Sequence, residues 1–363
     1  MKLQDLCSYL DSAVPLSFQE GYDNSGLQVG QPDETISSAL LTLDITEEVI
    51  DEAINEGCNV IISHHPVIFG GIKMITGSSV TGRILLKAIR NNISIYSSHT
   101  NLDTVFDGVS FKMAQKAGLQ NVKVLSPLKN KLLKLVTFIP DDHLARVSEA
   151  LFNAGAGVIG NYDRCGFSVT GTGSFRAGEG TNPYVGQRGK THSEKEVRFE
   201  TILFSHLKNA VIKALLETHP YEEVAYDLYA VENGNVNAGS GCTGELKMPL
   251  SETEFLDMLS VVFGAGMIRY SKTRGKMIKK VAMCGGAGAF LLNDAIANAD
   301  AFVTGDIKYH TFLEVGDRIL LVDCGHYETE KYSVEILHDL IIKKFPKFAV
   351  RFSKTNTNPI NYR

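Results

Sequence analysis

The stretch Cys58-Asn59-Val60-Ile61-Ile62-Ser63-His64-His65-Pro66 constrains the chain more than any other. An apolar β-branched run is what a parallel strand buried on both faces requires, and open α/β sheets keep their ligands at the carboxyl ends of such strands. Two imidazoles stand at that end. Neighbouring strand residues face opposite ways, but Pro66 breaks the ladder, so both rings can turn toward one crevice and each take a different metal ion. One packed and one solvated histidine would fit the same residues, so the pair gains meaning only from partners elsewhere in the chain.

The surrounding pattern predicts an α/β series. Leu3, Leu6, Cys7 and Leu10 fall at helical spacing before Pro15. Leu40 to Ile45 reads as a strand, and Thr46-Glu47-Glu48 opens a helix that ends at Gly57. Residues 80–91 and 108–117 read as helices around the strand Ile93 to Tyr96, which ends in Ser97-Ser98-His99-Thr100-Asn101-Leu102-Asp103. From about residue 126 the texture changes to β-α-β-β-α-β, the ferredoxin-like split unit, with Gly171 to Ser193 as a long exposed excursion between its middle strands. The predicted organisation is therefore a discontinuous α/β domain, 1–125 with 247–363, and an inserted α+β domain at 126–246. In the returning half, Ser251 and Glu254 form a capping box and Lys280 to Cys284 is a strand running into Gly285-Gly286-Ala287-Gly288. Those glycines suit either a phosphate cradle or a tight turn. A helix followed by Cys58 to His65 rhymes with a helix followed by Asp300 to Asp306, which suggests an internal duplication.

Composition serves mainly to exclude. With 363 residues, 44% hydrophobic and 21% charged, the chain is that of an ordinary globular protein of two or three domains. A net charge of -5 provides no overall basic field for nucleic acid or anionic lipid. The amino terminus lacks a cationic and then apolar leader, and no apolar run approaches the ~20 residues that span a bilayer, so a cytoplasmic protein is expected. Six scattered cysteines without a Cys-x-x-Cys pair read as reduced packing thiols. Cys324, two residues before His326, is the one with a conceivable metal role.

Three strand ends offer ligands: His64 with His65, Asp103 with His99 nearby, and His326 with Glu330. The last pair is the most informative, because positions i and i+4 at a helix start share a face and can grip one ion. Imidazole and carboxylate donors suit zinc, iron, manganese or nickel rather than calcium or an iron–sulfur cluster. Two such ions ~3.5–4 Å apart lower the pKa of water toward ~7 and polarise carbon or phosphorus, which makes hydrolysis the natural chemistry. His99 and His310 are candidates for proton transfer, and Asp44, Asp306 and Lys308 for orienting substrate; support of the ligands is the alternative for each.

The segments Gly21-Tyr22-Asp23-Asn24-Ser25-Gly26-Leu27-Gln28-Val29-Gly30, Ser63-His64-His65-Pro66, Asn101-Leu102-Asp103, Thr304-Gly305-Asp306-Ile307-Lys308-Tyr309-His310 and Gly325-His326-Tyr327-Glu328-Thr329-Glu330 together resemble the GTP cyclohydrolase 1 type 2 homologue family, also called the NIF-three-like proteins. Tyr22 stands where that family usually has tryptophan. The resemblance implies a dinuclear site with His64, His65, Asp103, His326 and Glu330 as ligands, Glu330 touching both ions. It also implies a homo-oligomer, commonly a hexamer. His219-Pro220-Tyr221-Glu222-Glu223-Val224-Ala225-Tyr226-Asp227 is similar to the closing strand of CutA and PII-like domains, an insertion that longer bacterial members carry; His219 there reads as a helix-end residue. The expected function is a metal-dependent hydrolase of a small-molecule substrate, a nucleotide or related heterocycle. A phosphoesterase and a non-catalytic metal-binding regulatory protein are the alternatives, and nucleic-acid binding is distant.

Overall fold

The computed structural model describes residues 1–363, the Val236 side chain excepted. The chain divides into two compact units, Met1–Pro127 with Asn237–Arg363, and Leu128–Val236.

The first unit is built on two mixed sheets, one with four parallel strands and one with three. One sheet has the order Gly26–Val29, Ser94–Ser97, Val60–Ser63, Ser38–Thr42, Ala349–Phe352, antiparallel only at its first pair. Strand alternation explains how it is covered. Ala39, Leu41, Val60 and Ile62 pack against Leu3, Leu6 and Leu10 of the helix Leu3–Ala13 and against Leu337 and Ile341 of the helix Ser333–Lys344. Leu40, Ile61 and Ile95 meet Val49, Ile50 and Ala53 of the helix Glu47–Asn55, with Ile84 and Ala88 of Val80–Arg90. Apolar side chains therefore fill both faces of Val60–Ser63, as its continuous hydrophobic run requires.

The second sheet has the order Arg269–Tyr270, Leu320–Asp323, Ala301–Thr304, Met277–Met283, Asn235–Ser251, Gln120–Leu128, with the strands at 277, 301 and 320 parallel. Phe111, Phe255, Leu259 and Phe263 cover one face, and Leu291, Leu292 and Ala295 the other. The two stretches that rhyme in sequence end in Val60–Ser63 and Ala301–Thr304, each an interior strand with a parallel neighbour on both sides. The predicted capping box is formed: the Ser251 hydroxyl accepts from the Glu254 N–H, and the Glu254 carboxylate accepts from the Ser251 N–H at 2.8 Å.

The unit boundary falls at 236/237 rather than at 246/247. Asn235–Ser251 is one long strand, and its residues Cys242 to Glu245 already pair with Met283 to Lys280 of the second sheet.

The other unit has the element order strand, helix, strand, strand, helix, strand: Leu132–Pro140, Leu144–Asn153, Gly166–Arg176, Thr191–Phe204, Lys208–Thr218, Tyr226–Val231. The sheet runs 166–176, 191–204, 132–140, 226–231 and is antiparallel throughout. The long excursion expected from Gly171 to Ser193 is shorter, because Gly171-Thr172-Gly173-Ser174 stays in the ladder opposite Glu196 to Ser193. Only residues 177–190 loop out.

Candidate metal centre

Polar side chains gather at the carboxyl ends of the strands in the first unit. His64 and His65 follow Val60–Ser63, and their N–H groups continue the ladder onto the Thr42 and Leu43 carbonyls. His99 follows Ser94–Ser97, and Asp103 lies one turn later on the short helix Thr100–Thr104. From the second sheet, Leu320–Asp323 leads through Gly325 into the single-turn helix His326–Glu330, which carries its first and last residues on one face.

Glu330 is the hub. Its Oε2 lies 2.8 Å from His326 Nε2, 2.9 Å from His65 Nε2 and 3.9 Å from His64 Nε2. Two groups fit to hold a cation share it: His65 with His326 and Glu330, and His64 with Asp103 and Glu330. A third is His64, His65 and His99, with ligand atoms in every group within 4.8 Å of one another.

Each imidazole is held from behind. His64 Nδ1 donates to the Ser98 carbonyl at 2.8 Å, His65 Nδ1 to Asp44 at 2.6 Å, His326 Nδ1 to Asp306 at 2.8 Å and His99 Nδ1 to Asp23 at 2.7 Å. Because a carbonyl or carboxylate only accepts, the proton sits on Nδ1 in all four rings, and Nε2 is left to serve the centre. Asp44 is fixed in turn by the Thr357 hydroxyl, and Asp23 by the Thr100 N–H and hydroxyl.

The electrostatics follow from burial against pairing. Burial alone would lower His65, but its bonds to Asp44 and Glu330 raise it to about 10. His326 rises to about 9, against burial, through Glu330 and Asp306. Burial wins at His64, whose pKa is lowered. Burial and the neighbouring Glu330 charge push the Asp103 carboxyl well above its ordinary range, while Glu330 is held well below by the imidazoles despite its own burial. In this protonation pattern, protons on the imidazoles neutralise Glu330, the task a divalent cation would perform.

The donor set fits such ions on a second count. His64 Nε2 and Asp103 Oδ1 are buried without a hydrogen-bond partner and stand 3.7 Å apart, too far to bond each other. Buried polar atoms in folded proteins rarely go without a partner, and these two, an imidazole nitrogen and a carboxylate oxygen facing each other, are a donor pair that an ion between them would satisfy.

Several sequence expectations are placed differently. His310, expected near the chemistry, is exposed on the helix Tyr309–Val315 and its ring touches Tyr309; it belongs to no cation-holding group among the described residues. The short helix starts at Tyr309, so the motif turns His310 to solvent instead of the strand end. Lys308 is exposed at the N-cap of that helix. Gly285 to Gly288 cradles no phosphate: the N–H groups of Gly285, Gly286 and Gly288 bond the hydroxyls of Ser110, Thr329 and Thr304. What the loop needs glycine for is proximity. A Cβ on Gly286, whose φ is +59°, would lie 2.0 Å from Glu330 Oε1. Cys324 is wholly buried in the core with its thiol pKa pushed up by burial, so it packs. Asp44 and Asp306 hold histidines. Asp23 holds one too; its signal was the polar Tyr22-Asp23-Asn24 segment. Nothing in sequence marked the Ser98 carbonyl or Thr357, and Gly286 stood out only as part of the glycine run 285–288.

Imidazoles and carboxylates converging from two mixed sheets define an α/β protein with a buried cluster fit for cations. The chain belongs to the Duf34/NIF3 (NGG1p interacting factor 3) family, whose model matches residues 1–359. A Halalkalibacterium halodurans protein named GTP cyclohydrolase 1 type 2 homolog is 39% identical over 354 residues, covering 96% of this chain and 95% of that one. The Bacillus subtilis protein of the same name is 35% identical, covering 99% and 98%. Among solved structures, a Bacillus cereus protein related to NIF3 superposes with a TM-score of 0.86 at 36% identity, over 100% of this chain and 99% of that one. No helix among the described residues is long and apolar enough to cross a membrane.

Proposed function

We propose that the cluster holds two divalent cations, drawn from zinc, iron, manganese or nickel, and that the protein is a metal-dependent hydrolase of a nucleotide or related heterocycle. The observation that carries this reading is the set of four imidazoles, each tied at Nδ1 so that Nε2 serves one centre, around a carboxylate shared by two cation-holding groups. His64, Asp103 and Glu330 would hold one ion, and His65, His326 and Glu330 the other. When bound, such ions supply Lewis acidity toward carbon or phosphorus and make water a better nucleophile near neutral pH.

The chain's own residues do the rest. Asp44, Asp306 and the Ser98 carbonyl fix ring orientation. His99 is oriented by Asp23 beside His64 and His65, at ring distances of 5.3 Å, and is the group placed to move a proton to or from substrate. Phe69 packs 6.0 Å from His99 and 6.2 Å from Tyr22; both Phe69 and Tyr22 are exposed and offer an apolar wall to a planar ring. The name that the chain's relatives carry guides the choice of substrate. We read the second unit as a ferredoxin-like insert of the PII and CutA kind, and the working protein as a cytoplasmic homohexamer. Sedimentation at micromolar concentration that returned only monomer would remove the oligomer.

The test is GTP incubated with protein reconstituted with each metal in turn. Ring opening releases formate, and His99→Ala should reduce it about 10²- to 10⁴-fold with metal content unchanged. Inorganic phosphate without formate would make the protein a phosphoesterase on the same ions. Tight metal retention with neither product would favour a regulatory role.

A further inference from the structure

The second unit contains a cavity of about 610 Å³, within the range of small-molecule sites, that the cation cluster does not explain. Its floor is one face of the sheet. Leu135, Ile139, Phe199 and Leu203 point into the core under the helices, so alternation places Phe138, Glu196 and Arg198 on the opposite face, where they line the cavity. The loop 177–190 folds over them: the Asn182 N–H donates to Glu222 at 2.8 Å, and the Tyr184 ring stands 6.0 Å from Tyr221 and bonds His143 through its hydroxyl. Phe175, 6.3 Å from Tyr221, completes an aromatic wall.

Glu196 is the one buried acid of the lining; Glu222 and Glu223 line the cavity too but are exposed, and the exposed Arg198 is paired with Glu200 at 2.8 Å. Glu196 is 8% exposed and has no ion-pair partner among the described residues; its one bond there is from the Tyr221 hydroxyl to Oε1, at 2.9 Å. Oε2 lies over Gly173, where a Cβ would approach it to 2.1 Å. Tyr221 is itself locked, its N–H donating to His219 Nδ1 while His219 Nε2 donates to the Phe138 carbonyl. His219 therefore positions the wall and has no free nitrogen for a metal.

A buried carboxylate without a cation is costly unless a partner arrives. A flexible alkylammonium would pair with Glu196 and leave the aromatic faces unused. A plain apolar ring would cover the faces and strand the acid. A planar ring with adjacent N–H donors satisfies both, since two parallel N–H groups match the two carboxylate oxygens. We infer that this cavity binds a planar nitrogen heterocycle through its 2-aminopyrimidine edge, the edge shared by guanine and pterin rings, with Glu196 reading the paired donors and Tyr184, Tyr221 and Phe175 flanking the ring. The assignment is independent of the hydrolase reading, because every residue named belongs to the second unit.

Calorimetric titration of the full chain with guanosine, inosine and pterin tests it. Guanosine, pterin or both bind; guanosine without pterin identifies a nucleoside as the source, and the reverse a free pteridine. Inosine, which lacks the 2-amino group, binds about tenfold or more weakly than guanosine wherever guanosine binds. Glu196→Gln, which keeps an acceptor for Tyr221, loses about tenfold, and Tyr184→Ala on the exposed loop loses about tenfold, with unchanged circular dichroism melts. No heat from either ring at about 1 mM overturns the assignment, as does inosine binding like guanosine or binding that survives in both variants. A change of sedimentation in the variants without ring binding would give this face to a second copy of the chain and equally end the proposal.

Discussion

The cation cluster and the cavity of the second unit hold their polar groups in opposite ways. In the cluster, His65 and Glu330 meet across 265 positions, and each imidazole is clamped from behind by a carboxylate or carbonyl. In the cavity, one buried acid, Glu196, stands among aromatic rings with a single hydroxyl bond. A dense set of charges needs outside support to stay aimed at one point, whereas an acid facing open space retains freedom to move. The cluster should therefore be sensitive to changes behind its ligands, and the cavity only to changes of the ligand-facing groups themselves.

The largest effect separates the two at once. Glu330→Ala removes the member common to two of the three groups that could hold a cation, and elemental analysis of protein purified without added metal should show at least about a 100-fold loss of affinity. His65→Ala should lose most metal as well. Both variants stay folded, because the ligands sit on strand ends and a helix start. Unchanged stoichiometry in either would strike that residue from the ligand set. The cavity should be indifferent, with Glu196→Gln purifying at full metal content.

Next in size are the clamps. Asp306→Ala and Asp44→Ala leave all five proposed ligands in place yet free the backs of His326 and His65. Metal affinity should fall about 10- to 100-fold, measured by competition with a chelator. If neither variant changes affinity, the rings need no holding and the contrast with the cavity collapses.

This difference also explains what could be read from the chain. Val60 to His65 announced a buried strand and the two imidazoles at its end because hydrophobic pattern and strand end are local facts. His326 and Glu330 announced themselves through helical spacing. The glycines at 285–288 left two readings open, since a tight turn and a phosphate cradle share one composition; only the Ser110, Thr304 and Thr329 hydroxyls, distant in sequence, decide between them. His310 misled because its motif fixes Asp306 but not the start of the helix that carries His310 away. The split into two mixed sheets was hidden as well. Gln120–Leu128 and Ala349–Phe352 are edge strands whose pairing partners lie far along the chain, and no local period encodes such pairing. The cavity left no trace: its walls are ordinary aromatic residues of a hairpin and a loop.

Glycine contacts offer a finer cut. Gly286→Ala forces a left-handed backbone to carry a side chain and pushes on Glu330 Oε1, in a carboxylate whose Oε2 is held by His65 and His326. About 1–3 kcal/mol of stability should be lost in a denaturant titration, together with metal. Gly264→Ala is the control, since its φ is +56° but the nearest atom is the flexible Lys331 Nζ at 3.4 Å. It should show the backbone cost and keep the metal. Gly173→Ala, which meets Glu196 Oε2, should also keep it, because that carboxylate can swing into the cavity. Equal metal loss in Gly286→Ala and Gly264→Ala would mean that left-handed backbone strain, not ligand displacement, controls the centre.

The smallest effect probes how firmly each unit closes over its core. Cys7, Cys58, Cys242, Cys284 and Cys324 are buried in the first unit, and burial raises the Cys7 thiol to about 12 and pushes up Cys242, Cys284 and Cys324. Cys165, in the second unit, is partly exposed. A thiol reacts as thiolate and only where reagent can reach it, so an aromatic disulfide reagent at about pH 8 should titrate one thiol per native chain and all six after denaturation. Cys165→Ser should abolish the native signal. A second fast thiol in metal-free protein, suppressed by adding zinc, would point to Cys284, next to the Gly285–Gly286 loop, and would show that the cation cluster rather than apolar packing keeps that end of the sheet shut.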